Sequence, residues 1–118
     1  MNHLVLVHDS ERNKTQEDWG SMTWMANQTL SGSSVAVGRL VLRPGFSDSS
    51  HSHSNADEVI YVFKGNVRVQ MAGSEIDLQT GDALTIPLKL THQIKNIGKK
   101  EAEMTLSYSS GVRKYTAE

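Results

Sequence analysis

The apolar residues of this chain come in short runs, and within most runs they alternate with polar ones. Residues 35–42, VAVGRLVL, put Val35, Val37, Arg39 and Val41 on one face and Ala36, Gly38, Leu40 and Leu42 on the other. Their β-branched content predicts a strand. Residues 58–63 repeat the pattern, with Glu58, Ile60 and Val62 opposite Val59, Tyr61 and Phe63. NVRVQMAG at 66–73 alternates as a hairpin strand, and SEIDL at 74–78 reads as another. ALTIP at 83–87 ends where Pro87 removes a ladder donor. His92, Ile94 and Asn96 share a face of the next segment, and Met104, Leu106 and Tyr108 share one in MTLSY.

The remaining segments carry weaker patterns. LVLV at 4–7 is a short apolar strand, too short to stand alone. Residues 8–19 are polar and predict a surface loop or a helical turn. WGSMTWMANQTL at 19–30 lacks helical periodicity and predicts a strand bent at Gly20, with Trp24 and Met25 in the core or at its rim. SGSS at 31–34 is a loop, and the polar tail from Ser109 is expected to fray. Gly65 and Gly81 sit in turns that call for positive φ. The pattern amounts to roughly nine to eleven short strands without a helix, the spacing of an all-β sandwich or barrel.

Composition narrows the possible functions. The 118 residues make one domain, 1–118. Twelve Lys and Arg against thirteen Asp and Glu leave the charge near zero, and no basic stripe points to nucleic acid. The absence of cysteine excludes disulfides, thiolate metal sites and a cysteine nucleophile. The first ten residues have neither a positive n-region nor a membrane-length apolar run, so the expectation is a soluble cytoplasmic protein without a membrane partner.

The chemistry gathers between Gly45 and Gly65. His51 and His53, two apart on an extended segment, send both imidazoles from one face. A turn-forming SNAD follows, and Glu58 opens the next strand. Two imidazoles and a carboxylate aimed into one cavity make a divalent-metal site. His92, from a later strand across the barrel, is the fourth candidate ligand. His3 and His8 lie apart from these and read as exposed.

Gly45, His51, His53, Glu58 and Gly65 match the spacing of the first cupin motif, and Gly81, Pro87, His92 and Asn96 that of the second. The chain therefore resembles the cupin superfamily. Lys89 stands where that motif has glycine, implying a more relaxed loop or a side chain reaching the site. The resemblance implies a double-stranded β-helix, or jelly-roll barrel. It also implies one divalent transition metal (Fe, Ni, Mn, Zn or Cu) on His51, His53, Glu58 and His92, and an N-terminal strand, LVLV at 4–7, that pairs with or swaps into a partner subunit.

Four protein ligands, three His and one Glu, leave one or two positions open on a five- or six-coordinate ion, as a catalytic metal requires. Glu58 either completes the shell or acts as base, and an inward Tyr108 would donate to a substrate oxygen. Asn96, Thr91 and Tyr61 are candidates to fix the imidazole tautomers, and an inward Arg39 would anchor an acid. Leu40, Ile60, Val62 and Met104 would give the site a dry apolar lining. The expected function is a dioxygenase acting on a small organic substrate, as a homodimer. A non-redox lyase or isomerase and a small-molecule-binding module are the alternatives.

Overall fold

The computed structural model describes residues 4–118. Its strands are β1 (Lys14–Glu17), β2 (Gly20–Ala26), β3 (Ala36–Leu42), β4 (His51–Ser52), β5 (Glu58–Lys64), β6 (Asn66–Met71), β7 (Ser74–Gln79), β8 (Ala83–Ile86), β9 (His92–Asn96), β10 (Ala102–Tyr108) and β11 (Thr116–Ala117). They form a six-stranded sheet, β1-β2-β3-β10-β5-β8, and a five-stranded sheet, β11-β4-β9-β6-β7. All strand pairings are antiparallel. The two sheets face each other as a jelly-roll barrel.

Period-two alternation becomes inside and outside. In β3, Ala36, Leu40 and Leu42 are buried; in β5, Glu58, Ile60 and Val62; in β10, Ala102, Met104, Leu106 and Tyr108. Val67, Val69 and Ile94 meet them from the second sheet. Each such large apolar side chain contributes about 1.5–3 kcal/mol by leaving water. β5 and β6 lie in different sheets, and the chain turns between them at Gly65, whose φ is 90°. A Cβ there would come within 3.0 Å of the Ala102 backbone. Gly81 also takes the positive φ expected of it, 98°.

Several expectations are corrected. Lys14–Glu17 is an edge strand rather than a loop: all four residues are exposed, so no apolar alternation marks it, and backbone pairing to β2 holds it. The strand over 19–30 stops at Ala26, and one helical turn, α1 (Gln28–Ser31), follows. Asn27 caps this turn by accepting from Leu30 N–H at 2.7 Å, and Gly32 ends it at φ 66°. Residues 4–7 form no strand within the chain, and Leu4 and Leu6 are exposed. A short 3₁₀ turn, Asp9–Glu11, occupies the polar stretch after them. His8 is exposed, and His3 lies outside the described residues. The tail does not fray. It crosses the barrel end, and β11 pairs Thr116 with Ser52 and Ala117 with His51.

Candidate metal centre and its cleft

Strand pairing and one loop hydrogen bond place the four predicted ligands. β4 holds His51 opposite His92 of β9 in the same sheet. Glu58 opens β5 in the other sheet, on its inward face. His53 follows β4, and its carbonyl accepts from Lys89 N–H at 2.7 Å. The structure brings all four together: their ligand atoms lie within 4.8 Å of one another, and every one of the side chains is buried.

The hydrogen bonds around the rings decide which nitrogens face inward. His51 Nδ1 lies 2.6 Å from Ser49 O, His53 Nδ1 3.0 Å from Lys114 O, and His92 Nδ1 2.9 Å from Leu90 O. A carbonyl only accepts, so each Nδ1 carries a proton and each neutral ring turns its Nε2 lone pair to the centre. There His92 Nε2 stands 2.9 Å and His53 Nε2 3.2 Å from Glu58 Oε1. Glu58 Oε2 and His53 Nε2 are buried without a hydrogen-bond partner. Lone pairs of nitrogen and oxygen converging at this range repel unless a cation lies among them. A proton on His92 meets part of that need; a divalent metal held by His51, His53, Glu58 and His92 meets all of it. The donor set therefore fits the metal.

Ionisation agrees with this arrangement. Burial would raise Glu58, but the adjoining His53 and His92 rings, which stabilise the carboxylate whenever they carry positive charge, outweigh it and hold the carboxyl at about 2. Burial lowers His51 to about 4, aided by the neighbouring His92 and His53. For His92, burial is outweighed by the Glu58 carboxylate, so its pKa is raised.

The expected supporting residues mostly stand elsewhere. Tyr61 points outward and is 44% exposed, because it falls on the odd face of β5. Thr91 donates to Glu118 rather than to an imidazole. Asn96 is buried but spends its amide on Leu42 O, Lys100 O and Gly98 N–H, tying the turn after β9. Arg39 faces outward and pairs with Glu103 of β10. Lys89 neither relaxes the loop nor enters the site: its exposed side chain sits on a backbone at φ 70°, the left-handed conformation glycine would take.

Tyr108 does point inward. Its ring packs against His53 at 5.0 Å, and its buried hydroxyl has no partner. Burial, with the charge of Glu58, raises its pKa, so the phenol keeps its proton. Ile60, Val62 and Met104 fill the core. A cleft of about 300 Å³ opens beside His51, and its walls are mixed: Leu40 and Trp24, but also Asp48, Arg113 and Tyr115. Those last three residues escaped the sequence pattern. Asp48 is buried, accepts from Ile94 N–H at 2.8 Å, and is pushed by burial up to about 7. Tyr115 stacks on His51 with ring centroids 4.8 Å apart. Met25 lies on the other face of β2, beside Val5 and Val7.

The cupin domain family model matches residues 38–108. The chain belongs to the cupin family. It is 31% identical over 87 residues to the polyketide synthase protein CurC of Streptomyces cyaneus, covering 74% of this chain and 56% of that protein. To oxalate oxidase GF-2.8 of Triticum aestivum it is 32% identical over 96 residues, 74% of this chain and 41% of the other. A solved oxalate oxidase in complex with glycolate superposes with a TM-score of 0.73 at 26% identity, covering 81% of this chain and 53% of that one. The chain thus spans about half the length of the curated relatives it matches.

Proposed function

We propose that this cupin is a metal-dependent enzyme that oxidises a small organic substrate with dioxygen. One divalent transition metal would be held by His51, His53, Glu58 and His92, with iron, nickel, manganese or copper suited to the redox reaction. The observation that carries the proposal is the convergence of Nε2 lone pairs and the Glu58 carboxylate on one buried point beside a cleft. Similarity to oxalate oxidases supports the oxidative branch. When bound, such an ion supplies a Lewis-acidic, redox-capable centre that polarises substrate oxygens.

The chain's own groups divide the remaining work. Glu58, held at about 2, is a ligand rather than the base, because a base works best with a pKa near the operating pH. Asp48, at about 7 on the cleft wall, is better matched to taking up a substrate proton. Tyr108 keeps its proton and donates to a substrate oxygen.

A non-redox lyase or isomerase is the second reading, favoured by the polyketide synthase relative and by the two proton-handling groups. The outward Val59, Tyr61 and Phe63, with exposed Leu4 and Leu6, support a homodimer. Among the described residues no helix is long and apolar enough to cross a membrane.

The test is elemental analysis of protein purified without chelator, beside His51→Ala, followed by oxygen-electrode assays with oxalate and glycolate. About one equivalent of redox metal, lost in the variant and accompanied by oxygen uptake, supports the proposal. Metal without uptake moves the assignment to the non-redox reading. No metal after reconstitution overturns both.

A further inference from the structure

The cleft contains a cation that neither the metal site nor the fold accounts for. The Arg113 guanidinium lies 4.9 Å from the ring centroid of Trp24, 5.2 Å from Tyr115 and 5.6 Å from Tyr108. No carboxylate forms a salt bridge with it among the described residues, although Arg39 and Arg68 both have one. Three aromatic faces hold the guanidinium in place and leave its in-plane N–H donors free of an anionic partner.

Its backbone is clamped as well. Asn55, in the turn between His53 and Glu58, donates to Val112 O at 2.6 Å and accepts from Lys114 N–H at 3.0 Å, gripping the residues on either side of Arg113. Gly111 O accepts from Gln28 N–H at 2.9 Å, and a Cβ at Gly111 would strike Ser33 O. The same turn that spaces two metal ligands therefore also fixes the arginine. Such a fixed, half-buried cation needs little reordering when an anion arrives.

We propose that Arg113 is a specificity-determining residue that seats the oxyanion end of a planar substrate, a carboxylate or an enolate, in the cleft beside the metal centre. Trp24 and Tyr115 flank the plane of the ligand, and the guanidinium fork meets its two oxygens, or its one oxygen, edge on. The volume of about 300 Å³ sets a small ligand, at the lower end of small-molecule sites. The acidic residues facing the cleft are Glu17, at its exposed rim, and Asp48. This inference deepens the proposed function by naming the substrate class, but it does not depend on the reaction that follows.

The probes are benzoate and its neutral isostere benzamide, titrated against the full chain with the metal removed and followed by tryptophan fluorescence. Wild type should bind benzoate at least 10-fold more tightly than benzamide. Arg113→Gln should weaken benzoate by about 10- to 100-fold, the size of a lost charge-assisted contact, and leave benzamide within about twofold. Arg113→Lys should recover part of the difference. Metal stoichiometry and thermal midpoint should be unchanged in both variants, separating an anion seat from a brace for the aromatic rings. Equal binding of the two probes, no binding of either, or loss of both probes together in Arg113→Gln would overturn the assignment. Enolates are distinguished from carboxylates by repeating the titration with tropolone, a planar enolate without a carboxyl group. Failure of oxygen uptake, by contrast, bears only on the reaction.

Discussion

Asp48 is the residue whose proton is coupled most directly to the fold. Burial lifts its pKa from 3.8 to about 7, so the folded state binds a proton that the unfolded chain has already released. The contribution is fully present below about pH 3.8 and is lost as pH rises through about 7. His51 acts in the opposite sense, since its lowered pKa makes stability rise with pH between about 4 and 6.5. The two are separated by mutation. In metal-free protein, Asp48→Asn keeps the acceptor for Ile94 N–H and should gain stability relative to wild type on going from about pH 4 to about pH 8. The upper bound is on the order of 4 kcal/mol, at about 1.36 kcal/mol for each pH unit separating the folded and unfolded pKa values. Urea unfolding at the two pH values measures it; a difference that does not change with pH would remove the buried charge from the account.

At the scale of elements, the loop before β9 and the tail after β10 have roles that their sequences conceal. Lys89 holds the left-handed turn that presents His92 and lets its own N–H reach His53 O. Lys89→Gly should therefore stabilise the protein by about 1 kcal/mol, the cost of a side chain in that region, with metal affinity unchanged. Thermal unfolding and a metal titration read the two halves of that expectation. The tail supplies Lys114 O to His53 Nδ1, the Tyr115 ring to His51, and β11 to β4. Deleting residues 114–118 should leave the far-ultraviolet circular dichroism of the barrel intact. It should weaken metal binding about 10- to 100-fold, as loss of an orienting partner does.

Seen whole, the candidate metal centre joins the two sheets, with His51 and His92 on one and Glu58 on the other, so that a bound ion would staple them together. An ion bound only by the folded state adds RT ln(1 + [L]/Kd), about 2.7 kcal/mol at a hundredfold excess over Kd. Chelation should then lower the melting temperature by on the order of 10 °C, and His92→Ala should abolish both the binding and the shift. Calorimetry with and without chelator decides this; equal midpoints would show that the ion contributes nothing to the fold.

What the sequence determined by itself is local. Alternation in residues 35–42, 58–63 and 104–108 specifies strands, because side chains on a pleated backbone alternate faces whatever lies around them. The spacing of His51, His53, Glu58 and His92 marks the four candidate ligands for the same reason, and the barrel brings them together. Tertiary structure alone decided the rest. Alternation separates two faces without saying which is inside, so Arg39 could be placed only when β3 packed, and it went to Glu103 on the surface. β1 and β11 have no buried face and are held by backbone pairing, which leaves no mark in a hydrophobic pattern. Arg113, Lys114 and Tyr115 lie about sixty residues from His51 and His53 along the chain, in a stretch that reads as polar tail. Their place at the site comes from chain closure through Asn55 and β4, a long-range event that no local window of residues contains.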